Sequence, residues 1–188
     1  MNLNKHLEFF DPENLKGAPL HVIGCGAIGS TVAEMLTRLG CSNIHLWDMD
    51  TVTEHNIANQ MFRFDDIGRL KVTTLAEQLK DINPDVSLTL HPKGVTVSEY
   101  LVLSGWVFLC VDNIDLRREI ANSQLRNPNL KAMYDFRMRL TDAQHYATVW
   151  NDEARRARFL DTMNFSQEEA KEATPVSACG TTLSVVLS

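Results

Sequence analysis

Short apolar runs alternate along the chain with longer stretches of helical spacing, and glycine, proline or polar residues separate them. Leu20-His21-Val22-Ile23, between Pro19 and Gly24, predicts a strand. Gly24 to Gly29 then reads as a turn. Over 30–39, apolar Val32, Ala33, Met35, Leu36 and Leu39 recur at helical intervals, and Gly40 supplies the stop. A second strand is predicted at 44–47, ending at Asp48. Residues 50–64 show no period and read as a functional loop. Ile67, Leu70, Val72, Leu75, Ala76 and Leu79 predict a helix over 66–79, ended by Asn83-Pro84. Alternation predicts a strand at 86–90, and 99–103 suggests a short helix. The continuous apolar run from Trp106 to Val111 is the pattern of a central strand covered on both faces. It ends at Asp112-Asn113. A helix at 115–125, strands at 131–136 and 145–150, and polar helices at 152–158 and 166–173 complete the pattern.

A strand, a glycine turn, a helix and a strand within about 30 residues form a right-handed crossover unit with parallel strands. The whole order predicts an α/β fold: a doubly wound, Rossmann-like, mostly parallel sheet with helices on both faces and later strands antiparallel. Residues 1–19 read as a lead-in, with Asp11-Pro12-Glu13 starting a helical turn. Residues 20–188 read as one domain, in keeping with a length of 188 residues. The apolar residues from Cys179 to Ser188 read as a helix that begins and does not finish, so truncation at the C-terminus is expected.

The net charge of −6 argues against general nucleic-acid binding, which needs a basic surface to release counterions. The start of the chain lacks the pattern of a secretory signal, and no apolar stretch reaches membrane-spanning length, so no membrane partner and a cytoplasmic location are expected. The four cysteines, Cys25, Cys41, Cys110 and Cys179, form no C-x-x-C pair, so no structural zinc is expected. Cys25 and Cys110 lie beside or within apolar runs and are expected to be buried thiols. The six histidines are scattered without metal-ligand spacing.

Gly24-Cys25-Gly26-Ala27-Ile28-Gly29 matches G-x-G-x-x-G. It follows a strand, opens a helix and has an acid, Asp48, about twenty residues on, which is the context of a nucleotide site. The first glycine permits the tight turn, the second lets phosphate approach the backbone, and the third lets helix and strand pack closely. The phosphate would meet N–H groups at the helix start, and Asp48 would hold ribose hydroxyls. This pattern alone does not separate NAD from ATP.

Further motifs follow in order: Asp48-Met49-Asp50-Thr51-Val52, then Asn56 and Asn59-Gln60, then Gly68-Arg69-Leu70-Lys71, then Asp112-Asn113 with Arg117. Together they resemble the ThiF/MoeB superfamily of adenylyltransferases, which includes the enzymes that activate ubiquitin. His55 to Gln60 and Tyr134 to Met138 are similar to its phage- and plasmid-type branch. The resemblance runs from Leu20 to Cys179. It implies ATP and Mg²⁺ as cofactors, a homodimer, and a ubiquitin-like or sulfur-carrier protein as partner. It also implies roles. Gly24, Gly26, Ala27, Ile28 and Gly29 cradle the nucleotide, with Asp50, Asn59, Gln60 and Asn113 around it. Asp48 binds ribose, Asn56 and Lys71 act at the phosphates, and Asp112 handles Mg²⁺. Cys179 falls where some relatives carry a cysteine, in some cases one that forms a thioester.

The chain departs from the family pattern at Asn59, where arginine is usual; a lost guanidinium removes a bidentate phosphate clamp. Arg63, Arg137 and Arg139 are the candidates to replace that charge. Each site residue also has a plain structural reading. Lys71 is then a solvated helix lysine, Asp112 a helix cap, Asn56 and Gln60 loop amides, and Cys179 a buried thiol. Two other functions stay open: an NAD-dependent oxidoreductase, which uses the glycine turn and Asp48 but gives no shared role to Asn56, Gln60, Lys71 and Asp112, and a non-catalytic module that binds nucleotide or a partner.

Overall fold

A computed structural model describes residues 2–5, 7–8, 10–98, 101–138 and 143–173. In chain order the elements are β1 (Leu20–Ile23), α1 (Ala27–Arg38), β2 (Asn43–Trp47), α2 (Glu54–Ile57), α3 (Lys71–Ile82), β3 (Ser87–His91), β4 (Gly105–Leu109), α4 (Ile114–Ser123), β5 (Leu130–Met138), β6 (Ala143–Val149), α5 (Glu153–Asp161) and α6 (Gln167–Ala173). The predicted turn in the lead-in is a 3₁₀ helix at Pro12–Leu15, capped by the Asp11 side chain.

The six strands form one sheet in the order β3-β2-β1-β4-β5-β6. All neighbours are parallel except β5 and β6. This is the α/β doubly wound sheet that the pattern predicts. Its two most central strands, β1 and β4, pair Val22 with Phe108 and Ile23 with Leu109. The chain leaves β1 towards β2 and leaves β4 towards β5, so their C-terminal ends form the switch point where such sheets bind ligands. One core cluster joins Val22, Ile44 and Leu46 to Ala33 of α1 and Val72, Leu75 and Leu79 of α3. On the other face, Ile23, Val107, Leu109 and Met133 pack with Ile120 of α4 and Phe159 of α5.

Four expectations change. The helix predicted over 66–79 begins only at Lys71. The Val52 amide donates to Arg69 O and the Gly68 amide to Val52 O, both at 2.8 Å, and Thr51 bridges Leu70. These long-range bonds hold Leu70 extended and 68–69 in a turn although the apolar period runs through them, and Gly68 takes a φ of 87° that helix does not allow. The loop at 50–64 contains α2, and 101–103 has no helix. Finally, α1 starts at Ala27, so Gly29 lies in its first turn.

Three of the scattered histidines meet on one face of β1, β2 and β3. Trp47 stacks on His91 with ring centroids 3.5 Å apart and donates through Nε1 to His21 Nδ1 at 3.2 Å. His45 Nδ1 and His91 Nε2 lie 3.2 Å apart. Burial, with smaller contributions from the neighbouring imidazoles, pushes His21 down to about 3; burial also lowers His45 and His91. A neutral Nδ1 on His21 can accept the indole proton, whereas a protonated one cannot.

The unfolded chain therefore takes up protons that the folded His21 refuses, and stability falls as pH drops below the ordinary value of 6.5. The share from His21 should be about 2 kcal/mol between pH 7.5 and pH 5. Urea unfolding at the two pH values measures it. His21→Asn, which keeps an acceptor for Trp47, should lose that share of the acid sensitivity; an unchanged difference would contradict the assignment.

Candidate nucleotide-binding site

The end of β1 passes through 24–26 directly into α1. Gly24 has a φ of 91°, and its amide donates to Trp47 O at 2.8 Å. A Cβ on Gly24 would lie 2.9 Å from the Cys110 carbonyl carbon and the Val111 nitrogen, and one on Gly29 would overlap the Gly24 carbonyl. These two glycines are required by packing. Gly26 differs: a methyl there would meet nothing closer than the Gln60 Nε2, 3.8 Å away. It caps α1 without a side chain, and the amides at 27–29 precede the first intrahelical bond, from Ser30 N to Gly26 O. An open glycine beside helix-start amides fits an anion.

Asp48 follows β2 on the same rim. One carboxylate oxygen accepts from Cys25 N at 2.7 Å and the other from Asp50 N at 2.9 Å. Each oxygen keeps lone-pair capacity for a hydroxyl donor. Lys71 opens α3 and is only 6% exposed, with its ammonium 2.9 Å from the exposed Asp50 carboxylate. The Lys71 amide also donates to Asp50 O at 3.0 Å. The Asp50 amide donates to Asp48, which holds Cys25 N, so the lysine is linked through the two acids to the glycine turn at Cys25. Burial and Asp48 raise that thiol well above its ordinary range, and Lys71 opposes them.

Asn56 spends its side-chain oxygen locally, accepting from Thr53 N and Thr53 Oγ1 at 2.9 and 3.1 Å as part of the cap of α2. Asn59 and Gln60 follow α2. The half-buried Gln60 brings its amide over Gly26, and its buried Oε1 has no hydrogen-bond partner among the described residues. Beyond β4, Gly24 touches Cys110 and Val111, so Asp112 emerges one residue from the glycine turn. Its carboxylate is exposed. The helix cap is Asn113, whose side chain accepts from Leu116 N at 3.0 Å. The plain reading of Asp112 as a cap therefore does not hold. Asn113 shares the rim, with its oxygen already engaged.

Of the three candidate arginines, Arg137 and Arg63 are among the described residues. Arg137 donates through Nε to Asp135 and through Nη1 to Thr162 O, both at 2.7 Å, and lies over the Tyr146 ring. Arg63 lines a surface pocket with Glu34, Arg38, Gln78 and Asp81. Arg139 and Cys179 lie outside the described residues. The sequence reading missed the Lys71–Asp50 pairing and the fully buried Asp135. For Asp135 a signal existed: an acid between Tyr134 and Phe136 in a strand.

A doubly wound sheet with a glycine turn, a strand-end acid and a buried lysine on one rim defines a nucleotide-binding α/β domain. The model of the ThiF family matches residues 5–133, and the chain belongs to that family. The ubiquitin-like modifier-activating enzyme 5 of Dictyostelium discoideum is 39% identical over 123 residues, which are 57% of this chain and 32% of that protein. That of Drosophila virilis is 33% identical over 135 residues, 64% of this chain and 34% of that protein. The chain thus spans about a third of the length of these curated relatives. Among solved structures, E. coli MccB with ATP has a TM-score of 0.66 at 20% identity, covering 75% of this chain and 44% of that one, a likeness of fold. E. coli tRNA N6-threonylcarbamoyladenosine dehydratase TcdA in complex with AMP has a TM-score of 0.60 at 29% identity, covering 69% and 55%.

The two kinds of glycine should separate experimentally. Gly26→Ala should keep stability within about 1 kcal/mol and weaken ATP binding at least about tenfold. Gly29→Ala should lose roughly 3 kcal/mol or fail to fold, because backbone must move. Thermal denaturation and calorimetric titration read both, and wild-type ATP affinity in Gly26→Ala would remove the turn from the phosphate site.

Proposed function

We propose that this chain is the adenylation domain of an enzyme that uses ATP to adenylylate the C-terminal carboxylate of a small ubiquitin-like or sulfur-carrier protein. The observation that carries the reading is the convergence of the glycine turn, Asp48, Lys71 and the turn bearing Asp112 at one rim of the sheet. The names of the relatives and the nucleotides bound by MccB and TcdA support it.

A carboxylate oxygen of the carrier attacks the α-phosphorus of ATP, and the bond to pyrophosphate breaks. Two anions must meet, so the requirement on the protein is alignment and charge neutralisation, with no protein nucleophile. Asp48 would hold the ribose hydroxyls. The amides at 27–29, with Gly26 leaving room, would receive the phosphates. Lys71 would exchange Asp50 for phosphate oxygens, and the unsatisfied Gln60 Oε1 marks a polar place for the ligand beside Gly26. The exposed carboxylate of Asp112 is the hard oxygen donor that suits Mg²⁺. The metal would supply neutralisation of phosphate charge. The protein would act as a homodimer in the cytoplasm.

A second reading is a module that binds nucleotide without turnover. It is favoured by Asn59 in the place of the usual arginine and by Arg137 being bound to Asp135 and Thr162. An oxidoreductase gains less support, because the buried Lys71 beside the glycine turn suits an additional anionic group better than a nicotinamide.

Candidate carriers incubated with ATP, Mg²⁺ and the protein should gain the mass of one AMP, read by intact mass spectrometry. Asp112→Ala should abolish the gain while circular dichroism stays unchanged. ATP binding with no mass gain on any carrier would favour the module, and retained activity in Asp112→Ala would remove the metal assignment.

A further inference from the structure

We infer that Arg117 is a positioning residue for Asp112, its guanidinium fastening the turn that presents this carboxylate to the nucleotide. The inference rests on the adenylylation reading and extends it to a side chain outside the rim.

Regular pairing of β4 ends at Leu109, and α4 begins at Ile114. Asp112 sits in the irregular stretch between them. Arg117 lies one turn inside α4, and side chains on a helix lean towards its N-terminus. Its guanidinium is buried and folds back under this stretch. Nε donates to Val111 O at 2.7 Å, and Nη2 donates to the same oxygen. Nη1 donates to Phe136 O at 2.8 Å, and also faces Leu109 O at 3.4 Å and Asp135 Oδ1. One planar fork thus joins the end of β4, the end of β5 and the peptide immediately before Asp112.

The anchor is itself held. Asp135 has no exposed surface, and its second oxygen accepts from Arg137, which is fixed on the Thr162 carbonyl. The line Thr162–Arg137–Asp135–Arg117–Val111 runs from the end of α5 to the turn. A helix arginine with a packing role alone has no need to grip the carbonyl that precedes the metal-site candidate. Lysine at 117 keeps the charge but has no planar fork, so it cannot hold Val111 O and the β5 end together.

The test uses Arg117→Lys in the whole chain with three readouts: hydrogen exchange of peptides over 110–116 compared with β1 and β2, calorimetric titration with ATP without metal, and Mn²⁺ titration of the ATP complex followed by electron paramagnetic resonance. Exchange at 110–113 should rise at least about tenfold and Mn²⁺ affinity should fall at least about fivefold, while metal-free ATP affinity stays within about twofold. Unchanged exchange and Mn²⁺ affinity would overturn the inference. So would a parallel loss of metal-free ATP affinity, since the effect would then extend over the whole rim. If Arg117→Lys does not fold, Asp135→Asn loosens the same anchor and should give the same pattern more weakly; wild-type values there overturn the inference too. A wild-type protein that binds no ATP overturns adenylylation and this role with it. Wild-type binding with unaltered variants overturns the role of Arg117 alone.

Discussion

Where β1 ends, the backbone of Gly24 touches the backbone of Cys110 and Val111, and the first turn of α1 rests on the Gly24 carbonyl at Gly29. Three main-chain segments meet with no side chain between them. That contact fixes how near the two central strands come at their C-terminal ends. The Cys25 amide then points at Asp48, and Asp112 leaves β4 beside the turn. Side chains elsewhere in the core can exchange volume with their neighbours, but two backbones at van der Waals distance cannot. The site inherits its dimensions from this packing, before any functional side chain is placed.

The parts of the fold that depend on local pattern were legible in the sequence. β1, β2, β4 and the glycine turn follow from short apolar runs and glycine spacing, and α1 from its 3.6-residue period. What was hidden depends on partners far along the chain. Leu70 continues a helical period, yet it is held extended by Thr51 and by bonds from Val52 and Gly68. His21, His45 and His91 are far apart in sequence and become neighbours only through parallel strand register, which no local period reports.

The site divides in the same way. Gly24, Gly26, Gly29 and Asp48 were readable from a motif with a physical mechanism. Lys71 and Asp112 were recognisable through family resemblance, which named the residues but left the burial of Lys71 and its Asp50 partner unseen. Asn113 was grouped with the nucleotide residues, and the structure shows why it also belongs to the helix: it caps α4 while Asp112 stays open. The Arg117–Asp135–Arg137 network joins α4 to β5 and was invisible to any reading of one segment at a time.

The pairing of Lys71 with Asp50 has a consequence for selectivity. The ammonium already has an internal counter-ion, so an incoming anion gains only the difference between two attractions. A small, weakly held ion such as chloride gains almost nothing from the swap. A polyanion that also engaged the neighbouring amides would recover the difference through those added bonds. On the proposed reading, the loop acid would work as a resident competitor, setting a threshold that solitary anions of the surrounding solution would not cross.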